Sequence, residues 1–162
     1  MFEKLAYTKE KTQNYELVLK QLKAITEDEK DPVANLANAS ALLFQFLHDV
    51  NWVGFYIWKE TENELVLGPF QGLPACVRIG YGKGVCGTAV AERKTLRVAD
   101  VEKFPNHIYC DGASKSEIVI PLIVDDKLFG VLDIDSPETD RFDEKDQEYL
   151  EKYAEILEDI LN

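Results

Sequence analysis

The segment from Glu117 to Ser136 constrains the fold more than any other part of the chain. It reads Glu-Ile-Val-Ile-Pro-Leu-Ile-Val, then Asp-Asp, then Lys-Leu-Phe-Gly-Val-Leu-Asp-Ile-Asp-Ser. Two runs rich in Ile, Val and Leu, parted by a two-residue polar turn, predict paired strands, Glu117 to Val124 and Lys127 to Ser136, set centrally in a sheet. A second hairpin is predicted upstream. Asn51 to Lys59 is aromatic and β-branched, and Glu64 to Phe70 follows a Thr-Glu-Asn turn.

Helical periodicity brackets these strands. Leu17, Leu19, Leu22 and Ile25 predict an amphipathic helix over residues 8 to 25. Asp31 is a plausible N-cap with Pro32 at the first helical position, and Leu36, Ala39, Leu42, Leu43, Phe46 and Leu47 give that second helix an apolar face. The chain closes with a helix over Asp143 to Leu161, its apolar positions interleaved with acids. Short pieces are predicted between the hairpins: a strand at Cys76 to Ile79, a helix at Gly84 to Glu92 and a strand at Thr95 to Val98. Residues 99 to 115 form a long irregular segment, the natural suspect for a functional loop. The order of two helices, an antiparallel sheet and a returning helix predicts an α+β domain with the terminal helices packed on one face.

With 162 residues and 46% hydrophobic content, the chain suits a single domain over residues 1 to 162. The net charge of -12 disfavours nucleic acid and anionic membranes, since phosphates repel an acidic surface. Much of the excess lies in residues 133 to 162, where twelve Asp/Glu face three Lys/Arg, a net of -9. No apolar leader or membrane-length run is visible, so a cytoplasmic location is expected. In a reducing compartment an odd count of three cysteines argues against a static disulfide framework and permits a transient one.

Cys76, Cys86 and Cys110 fall within 35 residues, in the part of the chain densest in glycine and turn residues. Cys86 stands in Gly-Lys-Gly-Val-Cys-Gly and Cys110 in Asn-His-Ile-Tyr-Cys-Asp-Gly, loop-like settings where a sulfur can meet solvent. Cys86 falls in the first turn of a short helix, whose partial positive charge would favour thiolate. Zinc is the rival for such thiols. The three cysteines lack any CxxC pair, and His107 is only three residues before Cys110, so the spacings argue against a Cys3His site.

Carboxylates accompany the thiols. Asp133 and Asp135 share one face of a strand whose other face carries Leu132 and Ile134. Two like charges in a half-buried site are costly unless a cation joins them, which a ligand's amino group would supply. The alternative is that backbone N–H groups or Lys and Arg partners near the strand end satisfy them. Glu117 opens a strand close to the Cys110 loop, where a carboxyl in apolar surroundings could hold a proton for general-acid work, unless it is an ordinary surface glutamate. Trp52, Tyr56 and Trp58 share a face of their strand, either as core or as the wall of a ligand pocket.

Five blocks together resemble the free methionine-(R)-sulfoxide reductases: Gln-Gly-Leu-Pro-Ala-Cys-Val-Arg-Ile (71 to 79), Gly-Lys-Gly-Val-Cys-Gly-Thr-Ala (82 to 89), Phe-Pro-Asn-His-Ile-Tyr-Cys-Asp (104 to 111), Ser-Glu-Ile-Val-Ile-Pro-Leu (116 to 122) and Gly-Val-Leu-Asp-Ile-Asp-Ser-Pro (130 to 137). The resemblance covers nearly the whole chain and implies the GAF fold. It also implies reduction of free methionine (R)-sulfoxide without metal or organic cofactor, with thioredoxin as electron donor; a homodimer is compatible with it. By the matching motifs Cys110 resembles the nucleophile, with Cys86 the competing assignment, and Cys86 or Cys76 the resolving thiol. Glu117 resembles the residue that binds or protonates the sulfoxide oxygen. Asp133 and Asp135 would hold the substrate ammonium, while Trp52 and Tyr56 would flank its methyl-sulfur end. The chain departs from the pattern at Tyr109, where a small residue is common, and at Asn106, where glycine is frequent. The rival from a different class is a GAF-type sensor of small molecules or redox state.

Overall fold

The structure, a computed structural model, describes residues 2–162. Its helices are α1 (Lys11–Thr26), α2 (Pro32–Phe46), α3 (Gly84–Glu92) and α4 (Glu144–Ile160), and its strands are β1 (Trp52–Lys59), β2 (Glu64–Gly72), β3 (Arg78–Gly80), β4 (Leu96–Val98), β5 (Ser116–Val124) and β6 (Lys127–Ser136). The strands form one sheet in the order β3-β2-β1-β6-β5-β4, every pairing antiparallel. The β5–β6 pair is internal, as its apolar runs predict. Its turn uses Asp125 and Asp126, both left-handed (φ 51° and 63°), the backbone that a two-residue hairpin demands and that Asp tolerates.

Strand alternation divides the sheet into two chemically different faces. Val53, Phe55, Ile118, Ile120, Leu122, Leu132 and Ile134 point to one side and bury against Tyr15, Leu22, Leu43, Leu150 and Tyr153 of α1, α2 and α4. The opposite side carries Trp52, Tyr56, Val119 and Val131 and is covered by α3 through Val85, Cys86, Ala89 and Val90. One face is therefore an ordinary core, and the other carries the polar residues described below.

Local signals account for most boundaries. Asp31 caps α2 by accepting from the Ala34 N–H, with Pro32 opening the helix. Asp143 and Asp146 make a reciprocal capping box at α4. Buried Asp146 also accepts from the Tyr15 hydroxyl at 2.5 Å. The first helix starts at Lys11 rather than at residue 8, because the Glu10 carboxylate caps the Thr12 and Gln13 amides. Leu47 leaves the α2 helix (ψ 131°) yet stays buried, so its apolar character serves the core outside the helix. The expected Thr-Glu-Asn turn is a short 3-10 turn over Glu60–Glu62 closed by left-handed Asn63. Strand β3 begins at Arg78 instead of Cys76, since Cys76 is tied to a loop on the far side of the site. Among the described residues, no helix is long and apolar enough to cross a membrane.

Candidate active site

Strand register builds the site. Asp135 of β6 is paired with Glu117 on one side and with Trp52 on the other, and Asp133, two residues along, is paired with Gly54 and Val119. Glu117, Asp133, Asp135, Trp52 and Tyr56 therefore share the α3 face. Helix α3 lowers Cys86 onto them, placing its Sγ 3.9 Å from Glu117 Oε1. Gly87 permits the approach, because a Cβ there would stand 2.4 Å from the Gly80 carbonyl oxygen. The loop before β5 supplies Cys110. Trp52, Tyr56, Cys86, Cys110, Glu117, Asp133 and Asp135 all line one cavity of about 30 Å³, room for about two waters.

Cys76 joins this set through sulfur. It is disulfide-bonded to Cys110, with Cα atoms 5.5 Å apart, and Cys86 is the free thiol. The aromatic pair anchors the Cys76 loop: Tyr56 donates its hydroxyl to the Cys76 carbonyl at 2.9 Å and Trp52 its indole N–H to Leu73 O at 3.1 Å. Their rings stack at 5.8 Å. They are cavity walls as well as packing residues, while Trp58 lies only against the edge of the same cluster.

The acids are buried. Glu117 is 6% exposed and Asp133 5%, so Glu117 is no surface residue. Burial, reinforced by the charge of Asp135, pushes the Glu117 carboxyl up to about 8. Burial raises Asp133 well above its usual range, with the Glu117 charge adding to it, and Asp135 likewise with the Asp133 charge. Among the described residues no Lys or Arg pairs with either aspartate, and Asp133 Oδ1 and Asp135 Oδ1 are buried without a hydrogen-bond partner. The other Asp135 oxygen accepts from the Ser114 hydroxyl at 3.1 Å.

Cys86 corrects an expectation. A helix N-terminus favours thiolate, but this sulfur is buried beside Asp133, Glu117 and Asp135, and desolvation plus those charges drive its pKa well upward. It is held as a thiol. A Cys3His cluster is not assembled either: Cys76 and Cys110 are bonded to each other, and His107 Nε2 faces Glu117 Oε2 at 3.7 Å.

Three residues of the site, Asn51, Asp111 and Ser114, escaped the sequence reading as site components, and His107 entered it only as a zinc ligand that the spacings argue against. Asn51 donates to Asp111 at 3.0 Å and to Ser114 at 3.1 Å, tying the Cys110 loop to β1, and Ser114 passes the connection to Asp135. The His107 side chain is buried, with Nδ1 unpartnered. The signal available for all but Asn51 was their place in the irregular segment 99 to 115. Both departures from the motif have a structural account. Asn106 is left-handed at φ 58°, a backbone that Asn adopts in place of glycine. Tyr109 points outward, 63% exposed, with its ring edge-on to His107 at 4.6 Å.

A GAF domain model matches residues 31–161. The free methionine-R-sulfoxide reductase of Escherichia coli is 48% identical over 151 residues, covering 93% of this chain and 90% of that protein. The chain belongs to the free methionine-R-sulfoxide reductase family of GAF domains. The Bacillus subtilis protein YtsP is 62% identical over 152 residues, covering 94% of this chain and 93% of its own. The fold of the free methionine-R-sulfoxide reductase of Neisseria meningitidis, whose structure holds its substrate, superposes with a TM-score of 0.95 at 45% identity, covering 99% of this chain and 96% of the other. Within this reductase family fold, Cys86, Cys110 and the three carboxylates are brought to one cavity.

Proposed function

We propose that this chain reduces free L-methionine (R)-S-oxide to methionine as a single cytoplasmic GAF domain, without metal or organic cofactor, using thioredoxin as electron donor. The observation that carries the reading is the Cys76–Cys110 disulfide at the wall of a cavity floored by Glu117, Asp133 and Asp135. The R configuration and the free amino acid as substrate follow from family membership.

The reaction balances on these groups. The Cys110 thiolate attacks the sulfoxide sulfur while Glu117, protonated at neutral pH, gives its proton to the oxygen. Methionine departs and Cys110 is left as a sulfenic acid. The Cys76 thiol condenses with it, releasing water and forming the disulfide, which the thioredoxin dithiol then reduces by exchange. Burial and the raised pKa of Cys86 favour Cys110 as nucleophile, and the bonded pair favours Cys76 as resolving thiol. Asp133 and Asp135 would gain a cationic partner in the substrate ammonium, which protein-bound methionine sulfoxide lacks. Trp52 and Tyr56 would flank the methyl-sulfur end.

The test is NADPH oxidation coupled through thioredoxin and its reductase, with resolved R and S forms of the free amino acid and a sulfoxide-containing peptide. Turnover of the free R form, lost in Cys110→Ser, is expected. Equal rates on peptide and free amino acid, or undiminished turnover by Cys110→Ser, would refute the reading.

A further inference from the structure

Three side chains of the cavity make a donor set suited to a metal ion, and one of them, Cys86, has no role in the reductase chemistry proposed above. Cys86 Sγ, one oxygen of Glu117 and one of Asp133 lie within 4.8 Å of one another. Their residues are 4%, 6% and 5% exposed. In a tetrahedral zinc centre, with Zn–S near 2.3 Å and Zn–O near 2.1 Å, sulfur and oxygen ligands stand about 3.6 Å apart. The Cys86 Sγ to Glu117 Oε1 separation of 3.9 Å is already close to that.

A second observation points to a ligand at the same place. Asp133 Oδ1 is buried with no hydrogen-bond partner, a cost that most native carboxylates avoid. Neither a lysine nor an arginine pairs with Asp133 or Glu117 among the described residues. The donor chemistry narrows the class of cation. One thiolate is foreign to Mg²⁺ and Ca²⁺, which take oxygen, and two carboxylates are poor ligands for Cu(I). Zn²⁺, which accepts sulfur and oxygen alike, suits the set. A water would take the fourth position, since His107, with Nε2 3.7 Å from Glu117 Oε2, stands outside the three-residue group.

We propose that Cys86, Glu117 and Asp133 bind one Zn²⁺ ion and that the ion competes with substrate for the same carboxylates. The metal site stands on the donor geometry alone; the competition rests on the reductase reading. With Cys76 and Cys110 consumed in the disulfide, Cys86 is the remaining thiol, so the site exists in the oxidised protein and can be probed there.

The experiment adds Co²⁺, the spectroscopic stand-in for Zn²⁺, to the oxidised protein and follows the thiolate-to-cobalt charge-transfer absorption. Zn²⁺ affinity is measured against a chromophoric chelator. One equivalent of Co²⁺ with that absorption is expected. The absorption should vanish in Cys86→Ser, and Zn²⁺ affinity should fall at least tenfold in both Cys86→Ser and Asp133→Asn, each shown to be folded by circular dichroism. Binding without the charge-transfer band, or of equal strength in Cys86→Ser, would assign the metal to exposed carboxylates and overturn the site. So would no binding at micromolar Zn²⁺. In the reduced enzyme Zn²⁺ is expected to raise KM for methionine sulfoxide at unchanged kcat, and a fall in kcat at constant KM would overturn the competition. Turnover is measured separately in chelator, so that a failed reductase reading with the cobalt band present, or the reverse, is told apart.

Discussion

Replacing Glu117 with glutamine should make the protein more stable as the pH rises, and the size follows from its surroundings. The folded carboxyl ionises at about 8 instead of its ordinary 4.5, chiefly because it is buried. Between those values the unfolded chain has released the proton and the native protein still holds it. The unfolded state therefore binds fewer protons, and stability falls as pH climbs through the window. At 1.36 kcal/mol per pH unit, the native state carries a cost of roughly 3 kcal/mol at pH 7 and about 4 kcal/mol at pH 8, against less than about 1 kcal/mol at pH 5. Glutamine has nearly the same shape and no proton to lose, so it escapes the cost. Its amide can also donate to the unpartnered Asp133 Oδ1. Urea unfolding of the oxidised wild type and of Glu117→Gln at pH 5 and pH 8 reads the effect directly. The difference in unfolding free energy should shift toward the variant by about 3 kcal/mol across that span, on the order of 10 °C in Tm. The same variant should lose turnover, since it has no proton to give the sulfoxide oxygen. A stability difference that stays constant from pH 5 to pH 8 would refute the reasoning, because it would mean that Glu117 ionises alike in both states.

Three further outcomes can be checked. Gly130→Ala would put a Cβ 2.1 Å from the Tyr56 carbonyl oxygen, a backbone atom of the neighbouring strand that cannot rotate away, so a loss of about 3 kcal/mol is expected by calorimetry, and a change under about 1 kcal/mol would contradict the packing. Tyr15→Phe removes the 2.5 Å hydrogen bond to buried Asp146 and should cost about 1–2 kcal/mol in urea unfolding, since the carboxylate keeps its bonds from the Asp143 N–H and Arg141. With the Cys76–Cys110 disulfide formed, the cavity of about 30 Å³ has no room for methionine, so Trp52 fluorescence should respond to methionine only in the reduced protein; equal responses in both states would show that the bridge does not narrow the site.

The sheet was legible because its signals are local. Alternation over Glu117 to Ser136 separates Leu132 and Ile134 from Asp133 and Asp135, and the structure buries the first pair against the helices and the second pair in the cavity. Helix starts were legible where a cap is written in sequence, as at Asp31 and Pro32. The protonation chemistry of Cys86 was not. Its own helix favours thiolate, and the groups that reverse this preference come from β5 and β6, with Glu117 lying 31 residues away in sequence. The Asn51–Ser114–Asp135 chain was hidden for the same reason, since single polar contacts across long separations leave no periodic trace.

The two faces of the sheet explain how the chain tolerates its site. Three carboxyls and a thiol are packed together where burial, with the charge of neighbouring acids adding to it, raises all four, an arrangement that opposes folding at neutral pH. The opposing face is uninterrupted core, with Leu22, Leu43, Leu122, Leu132, Ile134, Leu150 and Leu157 all fully buried, each contributing about 1.5–3 kcal/mol. Because the strands are shared, residues such as Leu132 and Ile134 hold Asp133 between them, and the core fixes the aspartate's position against repulsion that would otherwise push it outward. The cluster's neighbours on its own side are a short helix and the loops of the disulfide, which are the parts that redox chemistry can loosen. Rigidity and reactivity thus sit on opposite sides of the same three strands, and a cation at the acids, whether a substrate ammonium or a metal ion, relieves the repulsion that the rigid side sustains.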